Sequence, residues 1–194
     1  MARIGRWTWV AAGLAALSTV GALAVGAAQA ALAVGAQAPD FTTRGALAGR
    51  VFRLHLAEQL RRGPVVLYFF PAAFTAGCTA EAREFAEKSE EFKAAGATVI
   101  GMSADPIDKL ARFSTEECRS KFAVASAGPR IIQSYQVALT SDNPNLQGKT
   151  DRTSYVISQA GRIVYVHSAL DYRGHVDNTL AAVRALHEGN IPGS

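Results

Sequence analysis

Val65-Val66-Leu67-Tyr68-Phe69-Phe70 constrains the fold of this chain more than any other segment. The run carries no charge, is bounded by Gly63-Pro64 and Pro71, and reads as a buried, central strand. What lies beyond it is helical. Ala82, Phe85, Ser89 and Phe92 recur at three- and four-residue steps between Thr79 and Ala94, which gives one apolar or small face. Glu81 and Glu84 suit a first turn, Lys93 a last turn, and Gly96 a C-terminal stop.

Between strand and helix stands Pro71-Ala72-Ala73-Phe74-Thr75-Ala76-Gly77-Cys78. A cysteine at that junction meets unpaired backbone N–H groups and the positive end of the helix dipole. Both favour the thiolate, which is the nucleophilic form. A lone cysteine after a strand is more often a small buried hydrophobe. It is the spacing of Pro71, Thr75 and Cys78 that makes this one a candidate nucleophile. Thr75 is placed to turn its hydroxyl toward the thiolate or its substrate, or simply to cap the helix. Pro71 shapes the turn and keeps water from the sulfur.

Further along, Val51 to Leu54 reads as a short strand and residues 55–62 as a polar connection or helical turn. Ala97 to Met102 is a strand. A helix starts at Pro106, in a good first helical position, and runs to about Ser120. Phe122 to Ser126 is a strand, Arg130 to Tyr135 a short helix, and residues 139–151 a polar loop. Thr153 to Ser158 and Arg162 to Ser168, joined by Gln159-Ala160-Gly161, imply an antiparallel hairpin. Gly174 to Glu188 closes the domain as a helix with Val176, Leu180, Val183 and Leu186 on one face.

The spacing Pro71-x-x-x-Thr75-x-x-Cys78 resembles the active-site signature of the peroxiredoxins, and Gly35-Ala36-Gln37-Ala38-Pro39-Asp40-Phe41 resembles the segment that opens their domain. Cys78-Thr79-Ala80-Glu81-Ala82 resembles the peroxiredoxin Q, or bacterioferritin-comigratory-protein, branch. For residues 34–187 the resemblance implies an α/β, thioredoxin-like three-layer fold, with a mixed central sheet flanked by helices. It implies a peroxidase that reduces hydrogen peroxide and organic hydroperoxides without metal or cofactor, and a monomer. It places the family's active-site arginine at Arg152, where positive charge favours the thiolate and binds developing oxyanion charge. Glu81 is then either part of the branch signature or a helix-dipole charge.

The commonest form of that branch carries a second cysteine five residues after the first, where this chain has Arg83. A second form implies a resolving cysteine in the helix that here begins at Pro106, which makes Cys118 the candidate. Cys118 would attack the oxidised Cys78, after local unwinding, and a thioredoxin-like dithiol protein would reduce the disulfide. The other reading keeps Cys118 structural, with an external thiol doing its work.

The N-terminus reads as a secretory signal peptide over residues 1–30, ahead of a domain at 31–194. Arg3 and Arg6 are followed by an uncharged stretch from Trp7 to Ala28, then the cleavage pattern Ala28-Gln29-Ala30. An uncleaved anchor is the alternative. The expected destination is the bacterial periplasm, with no membrane contact after cleavage. The net charge of +4 falls by two once Arg3 and Arg6 are removed, and no basic stripe argues for nucleic acid. His55, His167, His175 and His187 are scattered without metal-ligand spacing, and the chain has no Cys-x-x-Cys. Two other functions fit two cysteines in an exported thioredoxin-like fold. One is thiol–disulfide exchange. The other is a silent binding module stapled by a structural disulfide.

Overall fold

The uncharged run forms β3 (Val65–Phe69), an interior strand of one seven-stranded sheet. The computed structural model describes Met1 and residues 31–191, so the leader expected over residues 1–30 lies, Met1 aside, outside the described residues. The elements run in chain order β1 (Thr42–Leu47), β2 (Arg50–His55), α1 (Leu56–Leu60), β3, α2 (Ala76–Glu87), α3 (Ser89–Ala94), β4 (Thr98–Ser103) and α4 (Ile107–Glu116). They continue with β5 (Ala123–Ser126), α5 (Pro129–Ser134), β6 (Thr153–Ile157), β7 (Ile163–Ser168) and α6 (His175–His187). Sheet order is β2-β1-β5-β4-β3-β6-β7. The pairs β3–β4 and β4–β5 are parallel, and the remaining pairs are antiparallel. This is the mixed, thioredoxin-like α/β sheet that the resemblance implies.

The absence of charge in β3 follows from its two faces. Val66, Tyr68 and Phe70 point into one core with Phe85 of α2, Phe113 of α4 and Val183 of α6. Val65, Leu67 and Phe69 point into a second core with Leu56 of α1 and Ile132 of α5. Successive side chains alternate between faces, so a strand covered on both sides leaves no position for a charge.

Sequence and structure differ at four places. The single helix expected from Thr79 breaks at Lys88 into α2 and α3. Its apolar spacing runs through the break, because Phe85 and Phe92 bury in the same core on either side of it. β1 was not expected. It forms a hairpin with β2, and its exposed Thr42 and Leu47 hide the alternation that marks a strand. Pro106 caps α4 from outside rather than opening it, with ψ at 146°. α4 also ends at Glu116, short of Cys118, and the chain then passes through Arg119 and Ser120 at φ of 48° and 58°. That left-handed pair costs roughly 1–2 kcal/mol per residue.

Tyr68 stacks on Phe85 with ring centroids 4.4 Å apart and lies across Gly101, its register partner on β4. A Cβ on Gly101 would stand 2.8 Å from the Tyr68 ring and hydroxyl. Gly101→Ala is therefore expected to destabilise the fold by about 1–3 kcal/mol through overpacking. Urea denaturation checks this, and a wild-type midpoint would show that the Tyr68 ring moves freely.

Candidate active site

Cys78 sits in the first turn of α2 and is 2 % exposed. Its turn is built from the end of β3. The Phe70 carbonyl accepts the Thr150 hydroxyl at 2.7 Å, which ties the polar loop to the site. Ala73 N–H donates to Asp105 Oδ2 at 2.6 Å. Asp105 is buried and also takes the Ser103 hydroxyl and Lys109. Phe74 then adopts a φ of 66°, with its ring edge-on to Phe113 at 5.3 Å and under Arg112. Thr79 N–H bonds to Thr75 O, so the N–H groups of Ala76, Gly77 and Cys78 precede the first intrahelical bond. Those donors are left without an intrahelical acceptor in the turn that carries the sulfur.

Arg152, at the mouth of β6, is 5 % exposed, and three of its nitrogens are engaged. Nε donates to the Leu170 carbonyl at 2.9 Å, Nη1 to Glu81 Oε2, and Nη2 to Cys78 Sγ at 3.4 Å. A guanidinium held at three points cannot turn away, so its charge stays on the sulfur. The sequence reading and the structure meet here, since Cys78 and Arg152 lie 74 residues apart in the chain. Gly77 belongs to the same packing. A Cβ there would lie 3.4 Å from Arg152 Nη2 and 3.8 Å from Tyr172.

The other expected residues are placed differently. Thr75 is exposed and donates its hydroxyl proton to the Ala72 carbonyl at 2.9 Å, so it is neither on the sulfur nor a side-chain cap. Pro71 is half-buried at the end of β3. Cys118 is a free thiol, fully buried, as is Cys78. Burial, and then the charge of Glu117, push its thiol well above the ordinary range. In this conformation Cys118 is held protonated and is a poor nucleophile. The turn that carries it is bolted to α2. Arg83 Nε donates to Glu117 Oε2 at 2.7 Å, and Arg119 Nη1 to Glu87 Oε1 at 3.3 Å. Arg83, standing where the commonest form of the branch has its second thiol, thus reaches the neighbour of Cys118.

Sequence reasoning missed what lies behind Arg152. Glu81 is fully buried rather than a solvated dipole charge. Burial raises its carboxyl to about 8, against the pull of Arg152. His175, at the start of α6, and Ser154 of β6 are buried beside it. The paired hydroxyls Thr153-Ser154 at the head of an otherwise apolar strand were the available signal.

The AhpC/TSA family profile matches residues 34–166, from ahead of β1 into β7. A putative peroxiredoxin of Mycobacterium tuberculosis is 35% identical over 138 residues, covering 69% of this chain and 86% of that one. The chloroplastic peroxiredoxin Q of Oryza sativa subsp. japonica is 31% identical over 153 residues, covering 78% and 67%. Among solved structures, the peroxidoxin BcpB of Mycobacterium tuberculosis superposes with a TM-score of 0.70 at 31% identity, covering 79% of this chain and 97% of that one. Peroxiredoxin Q of Xanthomonas campestris superposes at 0.64 and 26%, covering 74% and 90%. Agreement over more than two thirds of the chain, in sequence as well as in backbone, goes beyond a shared fold: the chain belongs to the AhpC/TSA family and is a peroxiredoxin of the Bcp/PrxQ type.

Proposed function

We propose that Cys78 is the peroxidatic nucleophile of this thiol peroxidase, that Arg152 is its charge partner, and that Cys118 is its resolving thiol. The observation that carries this reading is the 3.4 Å contact between the Arg152 guanidinium and the Cys78 sulfur inside the protein. The Cys78 thiolate attacks the terminal oxygen of a hydroperoxide. The O–O bond breaks, and the leaving oxygen takes a proton to become water or alcohol. Arg152 and the open N–H groups of the first turn of α2 oppose the negative charge that moves onto that oxygen. The Cys118 sulfur then displaces hydroxide from the Cys78 sulfenic acid, which leaves a disulfide and water. A thioredoxin-like dithiol protein returns both thiols. Burial of Cys118 requires the α4–β5 turn to open first. The strained Arg119–Ser120 pair supports that turn as the opening point. The leader read over residues 1–30 supports export to the bacterial periplasm, and the resemblance supports a monomer.

Peptide mass spectrometry on the reduced protein, seconds after one equivalent of hydrogen peroxide, tests the reading. The expected product has lost two hydrogens and yields a linked Cys78–Cys118 peptide. A Cys78 sulfenic acid beside a free Cys118 would keep the peroxidase and remove the resolving role. A Cys78 that stays reduced would end the assignment in favour of thiol exchange or binding.

A further inference from the structure

Behind Arg152 lies an acid–imidazole pair that the reaction scheme leaves unused. Glu81 Oε2 accepts from Arg152, while Glu81 Oε1 is buried with no hydrogen-bond partner. The atom facing Oε1, at 3.8 Å, is His175 Nδ1. The other ring nitrogen, Nε2, lies 2.9 Å from the Ala169 carbonyl, a contact that is a hydrogen bond only when Nε2 carries the proton. A neutral ring then presents the Nδ1 lone pair, which the Ser154 hydroxyl meets at 2.8 Å. An ionised Glu81 would therefore leave Oε1 buried without a donor, facing a ring nitrogen that carries no proton and already accepts from Ser154. A buried anionic oxygen left in that state is costly, and a proton on the carboxyl removes its charge.

Building on the assignment of Cys78 as nucleophile, we propose that Glu81 holds a buried proton beside a neutral His175, and that losing it weakens Arg152 as the charge partner of Cys78. While the pair holds the proton as a neutral carboxyl and a neutral ring, Arg152 brings an uncompensated positive charge to the sulfur and to the leaving oxygen. Once Glu81 ionises, the same guanidinium sits between two anions and its pull on the reacting atoms is divided. His175 touches no reacting atom; it is a positioning residue that acts through Glu81.

The surroundings agree on where the proton resides. Burial raises Glu81 to about 8 and lowers His175 to about 4, so the carboxyl holds it. The groups facing the pair come from every packed element. Arg152, just before β6, helps to lower His175 by repelling an imidazolium, and it also draws Glu81 down. Glu84 of α2 raises Glu81. His167 of β7, its ring 4.4 Å from that of His175, lowers His175, and Asp171 raises it. The buried Tyr68 hydroxyl of β3 is within electrostatic reach of Glu81. The pair titrates as one system, so its midpoint belongs to both residues.

Stopped-flow oxidation of reduced protein by hydrogen peroxide, from about pH 5 to pH 10, tests this. In the wild type the rate is expected to fall by roughly tenfold along a descending limb centred near pH 8. Glu81→Gln cannot ionise and is expected to lack that limb. His175→Asn replaces the lone pair with a side chain able to donate, and is expected to move the limb acidward by about one pH unit or more. A purely structural histidine would change stability and leave the midpoint in place. Should Glu81→Gln fold poorly, the wild type alone suffices through infrared spectroscopy. A buried protonated-carboxyl band is expected at neutral pH and is lost across the same interval as the rate. A flat wild-type rate, or a limb that survives Glu81→Gln, overturns the proposal while leaving the peroxidase intact. A Cys78 inert to peroxide at every pH overturns both.

Discussion

Arg152→Ala is expected to slow oxidation of Cys78 by hydrogen peroxide by roughly 10²–10³-fold, the usual loss when a donor to a developing oxyanion is removed. The stability cost is expected to be smaller, about 2 kcal/mol, because the truncation orphans the Leu170 carbonyl and Glu81 without stranding a charge. Glu81 can keep its proton, so the residue left behind is neutral. Arg152→Lys is expected to recover little. One ammonium cannot serve the Leu170 carbonyl, Glu81 and Cys78 from a single point as the planar fork does. Stopped-flow fluorescence gives the rate and urea denaturation the stability. A rate within a few-fold of wild type would remove Arg152 from the chemistry despite its contact with the sulfur.

Cys118→Ser is expected to separate the two halves of the cycle. Reduction of the first equivalent of peroxide proceeds at about the wild-type rate, since Cys118 does not share the Arg152 contact. No disulfide forms, and Cys78 accumulates as a sulfenic acid visible by mass. Steady-state turnover with a thioredoxin-like reductant is expected to fall by roughly tenfold or more, because the reductant then meets a buried sulfenic acid rather than an exposed disulfide. The fold is expected to lose about 1–3 kcal/mol for a hydroxyl placed in an apolar site. Unchanged turnover would assign Cys118 to the core and make the enzyme a one-cysteine peroxidase.

How far the chain was readable depended on how local each signal was. β3 could be read because both of its faces are buried, so every residue in it says the same thing. The β6–β7 hairpin was readable from a short turn between two apolar runs. β1 was not, because Gly45 and the exposed Thr42 carry no strand pattern and its pairing with β5 spans only two residue pairs. The break at Lys88 left the apolar spacing intact and so left no mark. Neither Arg119 nor Ser120 announces a positive φ, and the end of α4 was read too late for that reason. At the site, Cys78 was legible from its spacing and Arg152 from the resemblance. Glu81 was visible as a residue but not as a buried one, since its partners lie on β6 and α6. Ser154 and His175 gain meaning only when the sheet brings them together.

The two bridges between α2 and the Cys118 turn, Arg83–Glu117 and Arg119–Glu87, set a race. On the proposed assignment, Cys78 once oxidised has two fates: closure with Cys118, or a second peroxide molecule that carries it irreversibly to the sulfinic state. Each bridge holds closed the turn that this closure needs; Arg119–Glu87 is exposed on both sides and Arg83–Glu117 on the arginine side, so each is worth about 1 kcal/mol and weakens as salt rises. Tolerance of a peroxide burst is then decided less in the pocket than on the surface. With Cys118 as the resolving thiol, the dose this enzyme survives depends on the ionic strength around it, and a brackish medium protects it better than a dilute one.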